Sequence, residues 1–576
     1  MTFNELKKNL KKNFGACKPL RLAILGDSMT QFLAQAIRGA GYTHRLDITI
    51  FEADFNQIDR QIQDIRSDLY SFAPDITLIF EAGHKLLQKF NKTIVNERIK
   101  FAENQINHMQ LLVDTLQKNS QTKIIYFNSA EEDDHVFGNF ANKVPLSFIY
   151  QQRKLNYLLT EIATNIVDFH ICDMSSIQNV VGRKAIFQPS IYLNSEMLLS
   201  LDILPVIANS VLQIISSFYG GVKKCVILDL DNTLWGGIIG DDGIDKIQIG
   251  GLGIGKAFTE FQYWIKKLQQ RGIIVCVCSK NDETIAKEPF KKHPDMVLRL
   301  KDISVFIANW ENKVDNIKLI QQTLNIGFDS MVFLDDNPFE RNIVRQNIMD
   351  ITVPELPNDP ADYLDYLYEL NLFETTSYSS EDTNRTEQYQ KEAKRVEKQM
   401  SFTNENDFLQ SLKMLAVVQP FNSFSIPRVA QLSQRTNQFN LRTVRYSEKD
   451  IKNFSESKTY HTFSFSLEDI YGDNGLICSV ILRDRNVNEL FIDSWFMSCR
   501  VLKRSMENFV LNTITNYAHD KGYKYLIGEY LPTVKNVLVK NLYTELGFNQ
   551  DQTFWRLNVD TYQYKKCFIK TKLLEL

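Results

Sequence analysis

An apolar run that ends in two acidic residues constrains this chain more than any other feature of its sequence. The run lies in KKCVILDLDNTLWGG, residues 223–237, and predicts a buried strand followed by a turn. Because side chains alternate along a strand, Asp229 and Asp231 would point the same way at its carboxyl end. In an open parallel sheet, that end of the strands forms the ligand crevice. Two carboxylates held together there need a cation, and oxygen ligands favour a hard ion such as Mg²⁺.

The pair of carboxylates also predicts a type of chemistry. With a cation in place, one carboxylate can act as a nucleophile and the other as acid and base, which suits phosphoryl transfer. Taken alone the pattern is weak, since aspartates are also common in turns at strand ends. Further parts follow in VCVCSKN, where Ser279 can hold a phosphate oxygen, and in NWENKVDN, where Lys313 can offset negative charge. The stretch MVFLDDNP then adds Asp335 and Asp336 as carboxylates for the metal and for orienting the lysine.

The order of apolar runs and amphipathic stretches predicts several domains. Alternating strand and helix patterns before and after Lys223 indicate parallel sheets covered by helices. A polar, charged stretch then predicts a linker that becomes a solvated helix, and the last segment mixes strand patterns with one clear helix. The predicted segments are an α/β domain at 1–218, a second α/β domain at 219–375, a linker helix at 376–400, and a strand-rich α+β domain at 401–576.

Composition excludes several classes of protein. A chain of 576 residues is long enough for about three or four domains, and its net charge of −3 provides no overall attraction to nucleic acid. The amino terminus has no apolar core of a secretory signal. The longest apolar stretch is interrupted by Asp202, Pro205, Asn209 and Gln213, so it predicts an amphipathic helix rather than a membrane span. Eight scattered cysteines are typical of a reducing cytoplasm.

The motifs of the second segment, taken in order, resemble those of the haloacid dehalogenase (HAD) superfamily of aspartate-dependent phosphotransferases. More narrowly, LDLDNTLWGGIIGDDG, ANWENKVDNI and VFLDDNPFERNIV are similar to the FkbH-like proteins, phosphatases of HAD subfamily IIIC. The resemblance implies that Asp229 is the nucleophile that forms an aspartyl-phosphate and that Asp231 is the acid and base. It implies that Asp229, Asp336 and the backbone carbonyl of Asp231 bind Mg²⁺. Asp335 would orient Lys313. The implied substrate contacts in this segment are Asn232, Thr233, Lys280 and Asn281.

The resemblance extends into the last segment. LSQRTNQFNLRTVRY and SLEDIYGDNGLI are similar to the same subfamily, and SWFMSCRVLKRSMENFVLNTI and EYLPTVKNVLVKNLYTELGF are similar to the acyltransferase fold of the GNAT group. Lys503 and Ser505 stand where that group has glycines in its coenzyme A loop, which leaves coenzyme A binding open. The residues expected to line a cleft there are Asn437, Asn440, Thr533, Lys535 and Asn536.

One cysteine of this segment is a candidate nucleophile. Cys499 precedes the predicted helix, and a helix start together with Arg500 would stabilise a thiolate. A thiolate there could accept an acyl group as a thioester. The alternative is a small apolar residue that fills a strand, which is what most cysteines without a disulfide do.

In the first segment, AILGDSMTQFL resembles block I of the SGNH hydrolases, whose nucleophile corresponds to Ser28. The resemblance implies an SGNH- or flavodoxin-like α/β fold. The family's D-x-x-H motif is absent, and Asp168 and His170 give only D-x-H. A serine that caps a helix is the alternative role of Ser28, and a docking or substrate-shaping domain is favoured over an esterase.

The resemblance as a whole implies a glyceryl transferase and phosphatase. Such an enzyme would take the acyl unit of 1,3-bisphosphoglycerate, remove its remaining phosphate, and load it onto the phosphopantetheine thiol of an acyl carrier protein. The basic tail YKKCFIKTK is one candidate contact for an acidic carrier. Two alternatives stay open: an enzyme acting on a sugar or glycan precursor in polysaccharide biosynthesis, and a non-enzymatic scaffold with relic sites.

Overall fold

The computed structural model describes residues 1–15, 17–378, 380–399, 401–533 and 535–572. The chain divides into two compact units, Met1–Ser216 and Ser217–Leu576. The mixed α/β architecture that the sequence predicts is confirmed, whereas the boundaries of three separate domains stay predictions. None of the helices in the described part of the chain has the length and apolar character needed to cross a bilayer.

The first unit is built on a five-stranded parallel sheet in the order β2-β1-β3-β4-β5, which is the flavodoxin-like order. Its strands are β1 (Lys18–Gly26), β2 (Leu46–Glu52), β3 (Ile76–Phe80), β4 (Lys123–Phe127) and β5 (Phe169–Cys172). Its helices are α1 (Phe3–Asn9), α2 (Gln31–Gly41), α3 (Ile58–Gln63), α4 (Asp68–Phe72), α5 (Gly83–Lys92), α6 (Phe101–Asn119), α7 (Phe148–Asn165), α8 (Met174–Val181), α9 (Arg183–Ile186), α10 (Pro189–Ser195) and α11 (Leu204–Phe218). The helix predicted for the long apolar stretch is α11.

The second unit begins with a four-stranded parallel sheet in the order β8-β7-β6-β9. Its strands are β6 (Cys225–Leu228), β7 (Ile274–Ser279), β8 (Val305–Ala308) and β9 (Met331–Leu334). The helices of this region are α12 (Ile239–Asp242), α13 (Gly253–Gln270), α14 (Glu283–Ala286), α15 (Glu288–Lys292), α16 (Lys313–Leu324), α17 (Pro338–Asn347), α18 (Tyr363–Leu370) and α19 (Arg385–Gln399).

The apolar sequence of β6 and β9 follows from their position, because parallel strands covered by helices on both faces are buried on both sides. Helix α16 covers one face of this sheet. It begins after Asn312, whose side chain accepts a hydrogen bond from the backbone N–H of Asp315, and it ends at Asn325 in the left-handed conformation. Its buried residues recur at helical spacing, so one stripe of the helix packs on the sheet.

The unit ends in an eight-stranded mixed sheet in the order β15-β16-β14-β13-β12-β11-β10-β17. Its strands are β10 (Leu415–Gln419), β11 (Tyr460–Asp469), β12 (Gly472–Asn486), β13 (Glu489–Met497), β14 (Tyr525–Glu529), β15 (Asn549–Asp551), β16 (Phe554–Asn558) and β17 (Lys570–Thr571). The remaining helices are α20 (Glu405–Ser411), α21 (Ile426–Arg435), α22 (Glu448–Glu456), α23 (Met506–Asp520) and α24 (Leu542–Glu545).

The helix between the two sheets is not the solvated linker that its polar sequence predicts. Helix α19 buries Thr386, Tyr389 and Arg395. Tyr389 belongs to the apolar core on one face of the four-stranded sheet. Arg395 forms ion pairs with Glu392 and Asp469. The polar composition misled because one face of the helix is buried, with the charge of Arg395 neutralised by its ion pairs.

Candidate active site

The predicted catalytic residues come together at one edge of the four-stranded sheet. Asp229 directly follows β6, and Ser279 is the last residue of β7. Lys313 opens α16 after β8, and Asp335 and Asp336 follow β9. Since all four strands are parallel, their carboxyl ends lie at the same edge.

Lys313 lies between two of the carboxylates. Its Nζ is 3.0 Å from Oδ1 of Asp229 and 2.5 Å from Oδ2 of Asp335. Burial alone would lower the pKa of Lys313, but the charges of these two carboxylates outweigh it and raise the pKa above its usual value. Burial, followed by the charge of Asp229, raises the pKa of Asp335 to about 7. The lysine therefore stays a cation that offsets part of the negative charge.

The carboxylates also form a cluster that fits a metal ion. Asp229, Asp335 and Asp336 each offer an oxygen, and these oxygens lie within 4.8 Å of one another. Oδ1 of Asp229 is buried and accepts no hydrogen bond within the described chain, even though Lys313 is close. Burial and the charge of Asp229 raise the pKa of Asp336. Three carboxylates against one lysine leave net negative charge, and their all-oxygen donor set suits a hard divalent cation.

The side chain of Asp231 is held apart from this cluster. Its Oδ1 accepts hydrogen bonds from Nε1 of Trp235 at 2.9 Å and from the N–H of Ile239 at 3.0 Å. Its Oδ2 accepts a bond of 2.8 Å from Nδ2 of Asn281. The third side chain of the candidate metal-binding cluster, beside Asp229 and Asp336, is therefore that of Asp335. Asp231 was expected to reach the metal only through its backbone, and that expectation stays a prediction.

Two of the predicted substrate contacts instead shape the loop after β6. The hydroxyl of Thr233 accepts a hydrogen bond from the N–H of Asp336 at 3.1 Å and lies 3.2 Å from its Oδ1, so it positions a candidate metal ligand. Asn232 has φ of +54°, a left-handed conformation that asparagine tolerates better than most residues. Its Oδ1 accepts from the N–H of Gly237, and its carbonyl accepts from the hydroxyl of Tyr363.

The residues after β7 line the same edge. Ser279 is buried, and its hydroxyl accepts a long hydrogen bond of 3.4 Å from Nδ2 of Asn281. Lys280 pairs with Glu340 at 2.6 Å. Sequence reasoning missed Arg341, whose Nη1 donates to the carbonyls of both aspartates after β9, at 2.8 and 2.6 Å. It lies within the quoted motif VFLDDNPFERNIV, but only the folded helix α17 shows that it turns back to that loop.

The predicted cleft residues of the last segment are only partly brought together. Nδ2 of Asn536 donates to the carbonyl of Asn440 at 3.0 Å, and its Oδ1 accepts from the N–H of Thr533 at 2.7 Å. Lys535 pairs with Asp329. Asn437 donates to the carbonyl of Gly220 at 3.2 Å. All of these contacts hold loops of the protein in place, and a substrate-binding role for the five residues stays a prediction.

The prediction that a helix starts directly after Cys499 is wrong. The residue opens a short 3₁₀ turn, Cys499–Val501, whereas α23 begins only at Met506, so no α-helix start faces the thiol. The helix is delayed because Lys503 and Ser505 both have φ near +60°, which interrupts a helical path. Arg500 donates to Gln388 and Ser498. The half-buried Cys499 thiol lies 3.8 Å from the hydroxyl of Tyr389.

Cys499 and Asp229 lie at opposite edges of the four-stranded sheet. Nδ2 of Asn325 donates to the carbonyl of Cys499 at 2.8 Å. Asn325 follows the last residue of α16, whose first residue is Lys313 beside Asp229. The 12 residues of that helix span about 18 Å, so one small substrate does not contact both candidate nucleophiles at once.

In the first unit, Asp168 and His170 do not complete a triad with Ser28. The serine follows β1 at the carboxyl edge of its sheet, whereas Asp168 precedes β5 at the amino edge and pairs with Lys123 at 2.5 Å. Burial, followed by the charge of Lys123, lowers the pKa of His170 to about 4. Ser28 is buried and does not cap α2 either, because that helix begins after Thr30. The alternative role as a helix cap is therefore wrong, and an SGNH relationship stays a prediction.

Comparisons with known proteins match both units. The family model "FkbH, N-terminal domain" matches residues 21–216. A solved structure, the N-terminal part of the protein BF1531 from Bacteroides fragilis, is described as containing a phosphatase domain complexed with Mg. It is 53% identical, covers 66% of this chain and 100% of its own, and has a TM-score of 0.63. No curated protein matches the chain.

Part of the chain also matches solved acetyltransferases, at much lower similarity. The ribosomal-protein-S18-alanine N-acetyltransferase of Escherichia coli is 15% identical, covers 25% of this chain and 94% of its own, and has a TM-score of 0.21. The GNAT domain of PAT from S. lividans is 17% identical, covers 24% of this chain and 86% of its own, and has a TM-score of 0.20. Scores of this size support no conclusion about the activity of the last segment.

Proposed function

The chain belongs to the FkbH-like phosphatase family, and we propose on that premise that it is a Mg²⁺-dependent phosphatase with Asp229 as its nucleophile. The observation that carries the proposal is the geometry of Lys313, which lies between Asp229 and Asp335 while Asp336 completes a three-carboxylate cluster at the ends of parallel strands. Bound Mg²⁺ would neutralise the transferring phosphoryl group and the carboxylates around it.

The residues of this chain divide the reaction between them. A carboxylate oxygen of Asp229 attacks phosphorus, the bond from phosphorus to the leaving oxygen breaks, and Asp231 gives that oxygen its proton. Water then attacks the aspartyl-phosphate and passes a proton to Asp231, and inorganic phosphate leaves. Hydrogen bonds from Trp235, Ile239 and Asn281 hold Asp231 in place for both proton transfers.

The test is phosphate release from a small phosphate monoester by the full-length protein. We expect activity with Mg²⁺, none after chelation, and a phosphoryl adduct on Asp229 in acid-quenched protein. Asp229→Asn should abolish both, whereas the exposed Asp245→Asn serves as a matched control and should leave both unchanged. An Asp229→Asn protein that still releases phosphate at the wild-type rate would exclude this mechanism, and a wild-type protein without activity would favour the scaffold.

The finer proposal concerns the substrate. The family resemblance suggests that the substrate is 1,3-bisphosphoglycerate and that its glyceryl unit is passed through Cys499 to an acyl carrier protein in the cytoplasm. In that step the Cys499 thiol loses its proton to solvent, the thiolate attacks the acyl carbon, the bond to the acyl phosphate oxygen breaks, and inorganic phosphate leaves. Because Cys499 and Asp229 lie at opposite edges of the sheet, the two reactions would use two separate sites.

Intact-protein mass spectrometry with 1,3-bisphosphoglycerate tests this step. The proposal expects a glyceryl adduct that Cys499→Ser loses and that the matched variant Cys567→Ser keeps, since both thiols are half-buried. Transfer of that adduct to an acyl carrier protein would complete the assignment. Release of phosphate without any adduct would favour the alternative, an enzyme that acts on a sugar or glycan precursor.

A further inference from the structure

A pocket lined by basic side chains lies at the amino-terminal edge of the four-stranded sheet, away from the candidate active site. We call it the cationic pocket, and its cationic residues are Lys223, Lys224, Arg271, Arg385 and Arg435. The space between its walls is about 350 Å³, including the part open to solvent. No motif in the sequence marks this set, because its members are up to 212 positions apart.

Four separate segments bring these cations together. Lys223 and Lys224 directly precede β6, and Arg271 follows the last residue of α13. Arg385 is the first residue of α19, and Arg435 is the last residue of α21. All four segments belong to the second compact unit.

Most of the hydrogen bonds of these cations go to neutral acceptors. Nζ of Lys223 donates to the carbonyl of Asp329 at 2.6 Å, and Nζ of Lys224 donates to the carbonyl of Arg435 at 2.7 Å. Nη2 of Arg271 donates to the carbonyl of Phe373 at 2.6 Å. A carbonyl satisfies one donor but carries no negative charge of its own. The charge of Asp329 acts on both lysines, but that carboxylate is paired with Lys535.

Among the described side chains, four carboxylates oppose these five charges, and one of the four, Asp329, is also paired with Lys535. Asp329 and Asp350 act on the lysines. Asp382 accepts from Arg385 and Arg435. Glu374 lines the pocket, but its oxygens accept from Asn371 at 2.7 Å and from the N–H of Thr375 at 3.0 Å. The pocket therefore carries an excess of positive charge.

This excess is costly in the protein alone. Cations that lose water without gaining a counter-ion are destabilised. Burial lowers the pKa of both Lys223 and Lys224 to about 8. Burial, followed by the charge of Arg385, lowers the pKa of Arg435 to about 9. An anion in the pocket would raise each of these pKa values again, because it favours the charged form of each side chain.

We propose that the cationic pocket binds a phosphate-type oxyanion at a site separate from the candidate active site. Guanidinium and ammonium donors from several directions suit a tetrahedral oxyanion better than a flat carboxylate. Lys224 and Asp229 lie at the two ends of β6, and the five residue steps between them span about 17 Å. A single phosphate group does not bridge that distance, so the anion of this pocket is a second one.

The anion is either free inorganic phosphate or the phosphate group of a larger ligand. In both cases it would connect the start of β6 to Arg385 and Arg435. Binding should therefore stabilise the packing of α19 and α21 against the four-stranded sheet. The proposal does not depend on phosphatase activity.

Calorimetry on the full-length, Mg²⁺-free protein tests the proposal, with inorganic phosphate and glycerol 3-phosphate as probes. We expect at least one probe to bind, and Lys224→Met to weaken that binding at least tenfold. The exposed Lys246→Met is the matched control and should bind as the wild type does. Equal binding of both probes assigns the site to free phosphate, and binding of the ester alone assigns it to a larger phosphorylated ligand.

Two results would overturn the proposal: no binding of either probe to the wild type, or equal affinity in the wild type and in Lys224→Met. Thermal melting without any anion distinguishes loss of the binding site from loss of binding through misfolding. There Lys224→Met should melt at or above the wild-type temperature, because it removes a cation whose burial outweighs its attraction to nearby negative charge. If that variant does not fold, Lys223→Gln replaces it with the same expected loss of affinity. Asp229→Asn should bind the probe as the wild type does, so failure of the phosphatase proposal leaves this result unaffected.

Discussion

The two edges of the four-stranded sheet hold clusters of opposite charge, and they differ in how they can be recognised. At the carboxyl edge, Asp229, Asp335 and Asp336 share one lysine. At the amino edge, the five cations of the cationic pocket are opposed by Asp382, Glu374, Asp329 and Asp350. The acidic cluster comes from short motifs at strand ends, whereas the cationic one is assembled from distant positions. Each cluster has more charge of one sign than the protein itself neutralises, which indicates a bound partner of the other sign.

The largest effect is expected from Lys313→Met at the acidic edge. It should reduce phosphatase activity to the level of Asp229→Asn. Removing the cation also leaves buried carboxylates facing each other, which costs about 3–5 kcal/mol of unfolding free energy at neutral pH. Urea denaturation in the absence of Mg²⁺ measures this loss, with the exposed Lys318→Met as control. Unchanged stability would mean that the carboxylates are not coupled to the lysine.

The counterpart at the basic edge is Asp382→Asn. The side chain is fully buried and accepts from Arg385, Arg435 and Gln431, so the amide keeps the shape but removes the counter-charge. We expect a loss of about 3 kcal/mol in urea denaturation. Inorganic phosphate should restore part of it, and the exposed Asp560→Asn should show neither effect. If phosphate stabilises Asp382→Asn no more than it stabilises the wild type, phosphate does not replace the counter-charge that Asp382 provides.

A third test uses pH at the basic edge. Burial outweighs the opposing charge of Asp329 and lowers the pKa of Lys224 to about 8 from its ordinary 10.5. Between these values the unfolded chain holds a proton that the folded protein has released. The free energy of unfolding of the wild type should therefore rise with pH by about 3 kcal/mol relative to Lys224→Met. Parallel pH profiles of the two proteins would show that Lys224 keeps an ordinary pKa.

The same contrast explains how much of the molecule could be predicted from sequence. Residues within motifs at strand ends, such as Asp229 and Lys313, could be placed because parallel topology gathers strand ends at one edge. The supporting role of Thr233 depends on a loop conformation, which no pattern encodes. The expected helix start at Cys499 failed because Lys503 and Ser505 take left-handed backbone angles that their residue types do not indicate. The fold class followed from periodicity, whereas the burial of α19 required knowing its charged partners.

The smallest effect on stability is expected from Asp336→Asn, and it tests a property that we expect of both charged clusters. Burial and the charge of Asp229 raise the pKa of Asp336, so the metal-free protein should become slightly more stable at neutral pH when this carboxylate becomes an amide. The same change should remove most of the stabilisation that Mg²⁺ gives the wild type, because one of three candidate ligands is lost. Thermal melting with and without Mg²⁺ measures both effects. A variant that is destabilised without metal, yet stabilised by Mg²⁺ as strongly as the wild type, would contradict the assignment. Lys224→Met should behave in the same way toward phosphate, so in each cluster the charge that destabilises the protein alone is the one that binds its partner.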